Sequence, residues 1–130
     1  MGRILIVEDD ETRCGWFHQE FAQVELDETD DVSIAVQWLS ERHYSLIFLD
    51  HDLVEEHYLS DVSDDGLTGY AVAAWLAEHP DRQPEARIII HSLNYAGAER
   101  MLNVLQNAGR NSEHIPFPDL PWVFQSVEPP

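Results

Sequence analysis

Lysine is absent from this chain of 130 residues, and all 7 of its permanently basic side chains are arginines. Against 25 aspartates and glutamates they leave a formal net charge of -18. A surface this negative repels polyanions at long range, so docking along duplex DNA or RNA through phosphate contacts is not expected. A small nucleotide or a single nucleic-acid end stays compatible with it. Cysteine is equally scarce. Cys14 stands alone, which excludes an intramolecular disulfide and a thiolate zinc cluster and suits a reducing compartment. We expect it to be a small core residue. Long apolar runs are missing too: Ile4 to Val7 is far too short for a signal-peptide core or a membrane span, so a cytoplasmic protein with no membrane partner is expected. There is no internal repeat, linker or low-complexity segment. Residues 1–130 therefore read as one domain, long enough to bury roughly two thirds of its unfolded surface, with an irregular proline-rich tail over about 116–130.

What the chain does contain alternates in period. RILIVEDD is an apolar, β-branched run closed by three acids, as expected for a strand buried on both faces. Cys14, Phe17, Phe21 and Val24 then recur at helical spacing from Glu11 onwards. Leu26 to Asp31 reads as an acidic turn, Val32 to Ile34 as a weak strand, and Ala35, Trp38 and Leu39 as one side of a helix. SLIFLD, Ser45 to Asp50, is the next strand and again ends on a carboxylate. His51 to Asp65 is a long acidic stretch without periodicity, of the kind that forms functional lids or stays disordered. Leu67, Tyr70, Ala71, Ala74 and Trp75 mark a helix that stops at His79 and Pro80. ARIII, Ala86 to Ile90, is a further strand leading into HSLN. Ala98, Met101, Leu102 and Leu105 share a helix face that Gly109 terminates. One short strand fits near His114 to Phe117, and no room is left for a normal final helix. Strands alternating with helices predict a doubly wound α/β fold of flavodoxin-like type, with a five-stranded parallel sheet in the order 2-1-3-4-5.

In such sheets ligands bind outside the carboxyl ends of the strands, at the switch point between strands one and three. Glu8-Asp9-Asp10, Asp50-His51-Asp52 and His91-Ser92-Leu93-Asn94 should meet there. Side-chain alternation lets Asp50 and Asp52 share a side, as Ser92 and Asn94 do, and sends His51 and His91 elsewhere. Carboxylates gathered this closely repel by roughly 4 kcal/mol per pair at an effective dielectric near 20, unless a cation or proton intervenes. Oxygen ligands from Asp9, Asp10 and Asp50 favour magnesium, whereas recruiting His51 or His91 shifts preference towards manganese or zinc.

Plainer readings stand beside this. Acids after strands often cap helices, and for Asp9 and Asp10 taken singly that is an even choice. His18, His43, His79 and His114 have no patterned partner. Glu55, Glu56, Asp61, Asp64 and Asp65 read as a solvated acidic loop, from which Glu55 and His57 could reach over the site. Trp16, Trp38 and Trp75 read as core or interface.

RILIVEDD, LIFLDHDL and the Ser92 step after ARIII together resemble the receiver domain of two-component response regulators, from Arg3 to about Asn94. That resemblance implies paired acids binding magnesium, an aspartate accepting a phosphoryl group and a Ser or Thr ending strand four. Asp9, Asp10, Asp50 and Ser92 occupy the matching places, while the family's lysine after strand five has no counterpart. LDHDL, GLTGYAVAAWL and IIIHSLNYAGAERM, spanning Leu49 to Met101, look closer still to the divergent cyclic-phosphate processing receiver domains.

This second resemblance implies a metal-assisted phosphoesterase that opens cyclic phosphates on nucleotides or RNA ends. On it, Asp50, His51 and His91 would be catalytic, and Ser92 and Asn94 would bind substrate. Asp9, Asp10, Asp50 and Asp52 would hold Mg2+ or Mn2+. Ring opening needs an activated nucleophile, charge neutralisation and a proton for the departing oxygen. The metal would supply the first two, and His51 or His91 the third. Alternatively Asp50 attacks phosphorus and water releases the aspartyl phosphate. The other class of function is a receiver-like switch module, with Asp50 as phosphoacceptor, docking a partner protein.

Overall fold

Three apolar runs, Arg3–Val7, Tyr44–Leu49 and Arg87–Ile90, lie side by side as parallel strands at the centre of the computed structural model, which describes residues 2–52 and 68–124. In chain order the elements are β1 (Arg3–Val7), α1 (Glu11–Glu20), β2 (Leu26–Thr29), α2 (Val32–Glu41), β3 (Tyr44–Leu49), α3 (Gly69–Glu78), β4 (Arg87–Ile90), α4 (Tyr95–Asn107) and β5 (Ser112–His114). A 3-10 turn (Phe117–Asp119) and a short α5 (Leu120–Phe124) follow. The sheet order is β2-β1-β3-β4-β5 with every pair parallel, as expected from the alternation of periods. No helix of the described residues is long and apolar enough to cross a membrane.

Two local assignments change. Leu26 to Thr29, expected as a turn, is β2, hydrogen-bonded in register to Ile4 through Val7. Val32 to Ile34, expected as a strand, is the first turn of α2, because the Asp31 carboxylate accepts from the Ile34 amide at 3.1 Å and caps the helix there. At the far edge, β5 lies a little earlier than expected, and residues 117–124 of the anticipated irregular tail are helical.

Alternation along the strands separates two cores. Leu5, Val7, Ile47, Leu49, Ile88 and Ile90 face α2, α3 and α4. Ile4, Ile6, Phe48 and Ile89 face Phe17 of α1 and Leu120 of α5. The partly buried Trp38 and Trp75 pack on the first core and Trp16 on the second, as expected for core aromatics.

The end of the sheet away from the acids is held by two polar side chains. Gln83 takes a left-handed backbone, φ 54°, and its amide bonds the Tyr44 amide and the Leu39 and Arg42 carbonyls. Arg110 spreads its guanidinium over the carbonyls of Leu76, His79, Arg82 and Gln83 at 2.6 to 3.1 Å. It thereby satisfies the carboxyl end of α3 and the turn after it. Arg110→Met keeps much of the volume and removes the donors, so we expect a loss of about 3 kcal/mol in urea unfolding, the scale for stranding buried acceptors of a charged donor. A loss below about 0.5 kcal/mol would show the turn to be self-supporting.

Candidate functional site

Ile6, Phe48 and Ile89 form one aligned row across β1, β3 and β4. Two residues further along each strand the same face carries Glu8, Asp50 and His91. The backbone ladder reaches all three: Glu8 donates to Thr29, Asp50 to Val7 and His91 to Leu49, each at 3.0 Å. One ligand atom from each of the three side chains lies within 4.8 Å of the others, and no other such group of His, Cys, Asp and Glu occurs among the described residues. They are buried, at 2% exposure for Glu8, 3% for Asp50 and 0% for His91.

Nε2 of His91 donates to Oε1 of Glu8 at 2.7 Å, and Oε2 of Glu8 accepts from the amides of Asp9 and Asp10 at 3.1 Å. Burial pushes the Glu8 carboxyl up, but the His91 ring and the Asp10 amide outweigh it and hold the group below the ordinary carboxylate value. Burial also lowers His91, leaving it a neutral ring that Phe17, Phe48 and Phe117 surround edge-on. Its Nδ1 has no hydrogen-bond partner among the described residues. Asp50 is pushed up to about 8, by burial first and by the Glu8 charge second. One oxygen of Asp50 accepts from the His51 amide at 2.9 Å, and the other lies 3.5 Å from the Arg13 guanidinium.

The His51 ring points to the other side of the strand end. Its Nδ1 bonds Asp52 at 2.8 Å, and Nδ2 of Asn94 lies 3.4 Å from both Asp52 oxygens. Two glycines make room for this segment. A Cβ on Gly69 would overlap the Asp50 carbonyl oxygen, and one on Gly97 would stand within 2.8 Å of Cδ2, Cγ and Nε2 of His51. The Oδ1 of Asn94 accepts from the Gly97 amide and caps α4, so Asn94 ties the ring's seat to its neighbour Asp52. Ser92 is buried, and its hydroxyl accepts from the Asn94 amide at 2.9 Å. Arg13, Asp50, Asp52, Ser92, Leu93 and Asn94 line an open cavity of about 280 Å³.

The structure thus unites Asp50 with His91, and His51 with Asp52 and Asn94. It corrects the expectation for His91, which lies on Asp50's side, whereas Asp52, though bonded to His51, lines one cavity with Asp50, Ser92 and Asn94. Nor does His91 line that cavity: its ring is fully buried and bonds Glu8. Asp10 is exposed and caps α1 by accepting from the Arg13 amide at 3.0 Å. Asp9 lies outside the trio and lines a separate acidic hollow with Glu28 and Asp30, and burial and then the Glu8 charge push it up to about 6. Glu8, rather than either of those two aspartates, stands with Asp50 and His91. Period-two alternation from Ile4 and Ile6 signals it, since it places Glu8, not Asp9, on the Phe48 face. Cys14 is half-buried, and burial pushes its thiol up. Glu55, Glu56, His57, Asp61, Asp64 and Asp65 lie outside the described residues.

Residues 4–107 match the family described as the cyclic-phosphate processing receiver domain. No curated protein matches the chain significantly. Similar solved structures include a response regulator from Burkholderia pseudomallei with a phosphorylated aspartic acid, calcium ion and citrate, at 16% identity and TM-score 0.63, covering 97% of this chain and 68% of that one. Another is a CheY-like receiver domain from Methylobacillus flagellatus, at 18% identity and TM-score 0.64, covering 98% and 99%. A third is the receiver domain of a sensor histidine kinase from Pseudomonas aeruginosa with magnesium in its active site cleft, at 18% identity and TM-score 0.64, covering 96% and 95%.

The raised Asp50 sets a pH dependence for the metal-free protein. The folded state keeps a proton that the unfolded chain, with its ordinary value of 3.8, has lost, so this stabilisation is complete at low pH and disappears as pH rises through about 8. His91 acts in the opposite sense only below its ordinary 6.5, and Asp9 is finished by about 6. In chelator, the melting temperature is therefore expected to fall between about pH 7 and 8, and Asp50→Asn to flatten that fall; an equal fall in the variant would assign it elsewhere. Gly97→Ala tests the seat of His51. In an unobstructed helix the change stabilises by about 1 kcal/mol, whereas overpacking costs about 1 to 3. A lower melting temperature with shifted imidazole NMR signals is expected, and a rise would mean that the ring gives way freely.

Proposed function

Because the chain belongs to the cyclic-phosphate processing receiver domain family, we propose that it handles a phosphoryl group at Asp50 with the help of a divalent cation. One observation carries this reading: Asp50 alone belongs both to the buried trio with Glu8 and His91 and to the lining of the open cavity. One oxygen is fixed by the His51 amide, and the other is turned towards Arg13, which also lines the cavity. That second oxygen is the attacking atom. It forms a bond to phosphorus as the phosphorus–oxygen bond to the leaving group breaks. The departing oxygen takes the electron pair and, when basic enough, a proton from water. Ser92, which lines the cavity, would face the incoming group.

The residues fit a cation. Two buried carboxylates, one held to its proton by burial and by the charge of the other, form a pair that a divalent ion would relieve. Glu8 and Asp50 would hold it, and their oxygens suit magnesium or manganese. Such an ion supplies neutralisation of charge on the phosphoryl oxygens. His91 keeps Glu8 ionised and aimed. The calcium and magnesium in the two similar structures support this reading, as does the phosphorylated aspartic acid in one of them. The ligand we propose is a small phosphorylated molecule or a nucleic-acid end, in keeping with the cavity of about 280 Å³ and the net charge of -18.

A second reading, opening of a cyclic phosphodiester, draws on Asp52, which lines the same cavity with His51 behind it at 2.8 Å. There Asp52 would move the proton and His51 would hold its carboxylate in place.

Incubation with magnesium and acetyl phosphate separates the two. We expect the mass of one phosphoryl group to be added to the protein and to be lost in Asp50→Asn. A melt that rises with magnesium or manganese in the native chain, and not in the variant, should accompany it. Turnover of a cyclic mononucleotide that survives Asp50→Asn and is lost in Asp52→Asn would overturn the first reading for the second. No labelling and no metal-dependent melt would overturn it outright.

A further inference from the structure

An anion entering this cavity meets a protein of net charge -18, and the walls already carry Asp50 and Asp52. Some fixed positive charge must therefore stand at the site for phosphoryl oxygens to be held there. Of the 7 arginines, only Arg13 lines the cavity. Arg3 and Arg42 are paired with Asp27, Arg87 with Glu113, and Arg110 is locked among backbone carbonyls. Arg13 is held differently. Its Nη1 lies 3.5 Å from Asp50 and 3.6 Å from Glu8, ion-pair distances longer than a direct charged hydrogen bond. Its Nε and Nη2 donate to none of the described residues. The guanidinium carbon sits 5.5 Å from the centre of the Phe117 ring, and that ring is anchored by the Phe117 amide on the His91 carbonyl at 2.9 Å. At the other end, the Arg13 amide is tied to the Asp10 cap.

We propose that Arg13 is the anion-binding residue of this site, receiving the phosphoryl oxygens of the group that Asp50 takes. The proposal rests on the reading of Asp50 given above. A planar guanidinium with two nitrogens uncommitted to any described residue matches two phosphoryl oxygens at once. Its loose hold on the carboxylates serves the same end. A divalent cation on Glu8 and Asp50 would cancel the charge that draws Arg13 inwards, leaving an incoming phosphoryl group as its nearest counter-charge. Arg13 thus acts as counter-ion to the carboxylate pair itself and as ligand to the phosphoryl group when a cation holds that pair.

Two effects in opposite directions test this. With magnesium present, Arg13→Gln should label Asp50 from acetyl phosphate about tenfold or more slowly, whereas Arg13→Lys should recover part of the rate. The magnesium midpoint, read from the melt, should stay or move to lower concentration in Arg13→Gln, because a positive charge has left the cation's surroundings. Loss of both properties together would reduce Arg13 to a structural role, and an unchanged labelling rate would remove it from the phosphoryl site. Inorganic phosphate, added to magnesium-loaded protein, separates this proposal from its premise. If the native chain is not labelled, yet phosphate raises its melt and not that of Arg13→Gln, the acceptor role of Asp50 falls and Arg13 stands. If labelling occurs and phosphate raises both melts equally, Asp50 stands and Arg13 falls.

Discussion

Glu8 and His91 share a buried hydrogen bond across the carboxyl ends of two strands, one an ionised carboxylate and the other a neutral ring. A charge that deep is tolerable only if its lone pairs are met, and the Asp9 and Asp10 amides meet the remaining oxygen. This constraint organises what surrounds it. The strand ends must come into register, the aromatic rings of Phe17, Phe48 and Phe117 must close over His91, and the chain must turn at once into α1. Asp50 then stands beside a fixed negative charge and is held to its proton. The same arrangement that makes Asp50 costly to ionise makes it receptive to a cation.

The opposite side of the strand ends follows a different logic. His51, Asp52 and Asn94 form a polar group whose geometry depends on two close backbone approaches, at Gly69 and Gly97. These glycines belong to the GLTGY and NYAGAE segments, and their place in those motifs has a steric reason. Asn94 serves both parts, capping α4 with one side of its amide and facing Asp52 with the other. Its amide is largely committed to the fold. The cavity between the two groups is lined by Asp50, Asp52, Ser92 and Arg13, and neither His51 nor His91 is among its lining residues.

Reading the fold from the chain succeeds where burial is strong. β1, β3 and β4 have sheet neighbours on both sides and helices on both faces, so their runs are apolar throughout and recognisable. β2 and β5 are edge strands, LDET and SEH, with one neighbour each and side chains that are partly buried at most. They carry no hydrophobic period to detect. Val32 to Ile34 misleads in the other direction, carrying β-branched Val32 and Ile34 yet helical, because the Asp31 cap and the packing of Val32 on the first core outweigh intrinsic preference.

Composition and pattern alone settled the broad α/β order of the chain, the strands that end in acid or histidine, and the presence of Asp50, His51, Ser92 and Asn94 at one end of the sheet. Each of these depends on residues near one another in the chain. Which acid joins Asp50, which side His91 faces and which arginine comes to the cavity were decided by tertiary structure. The alignment of Ile6, Phe48 and Ile89 across three strands selects Glu8 over Asp9 and Asp10. The packing of α1 on the sheet brings Arg13 to Asp50. The physical reason is register: a shift of one residue between strands sends every side chain to the opposite face, and only the packed sheet specifies it.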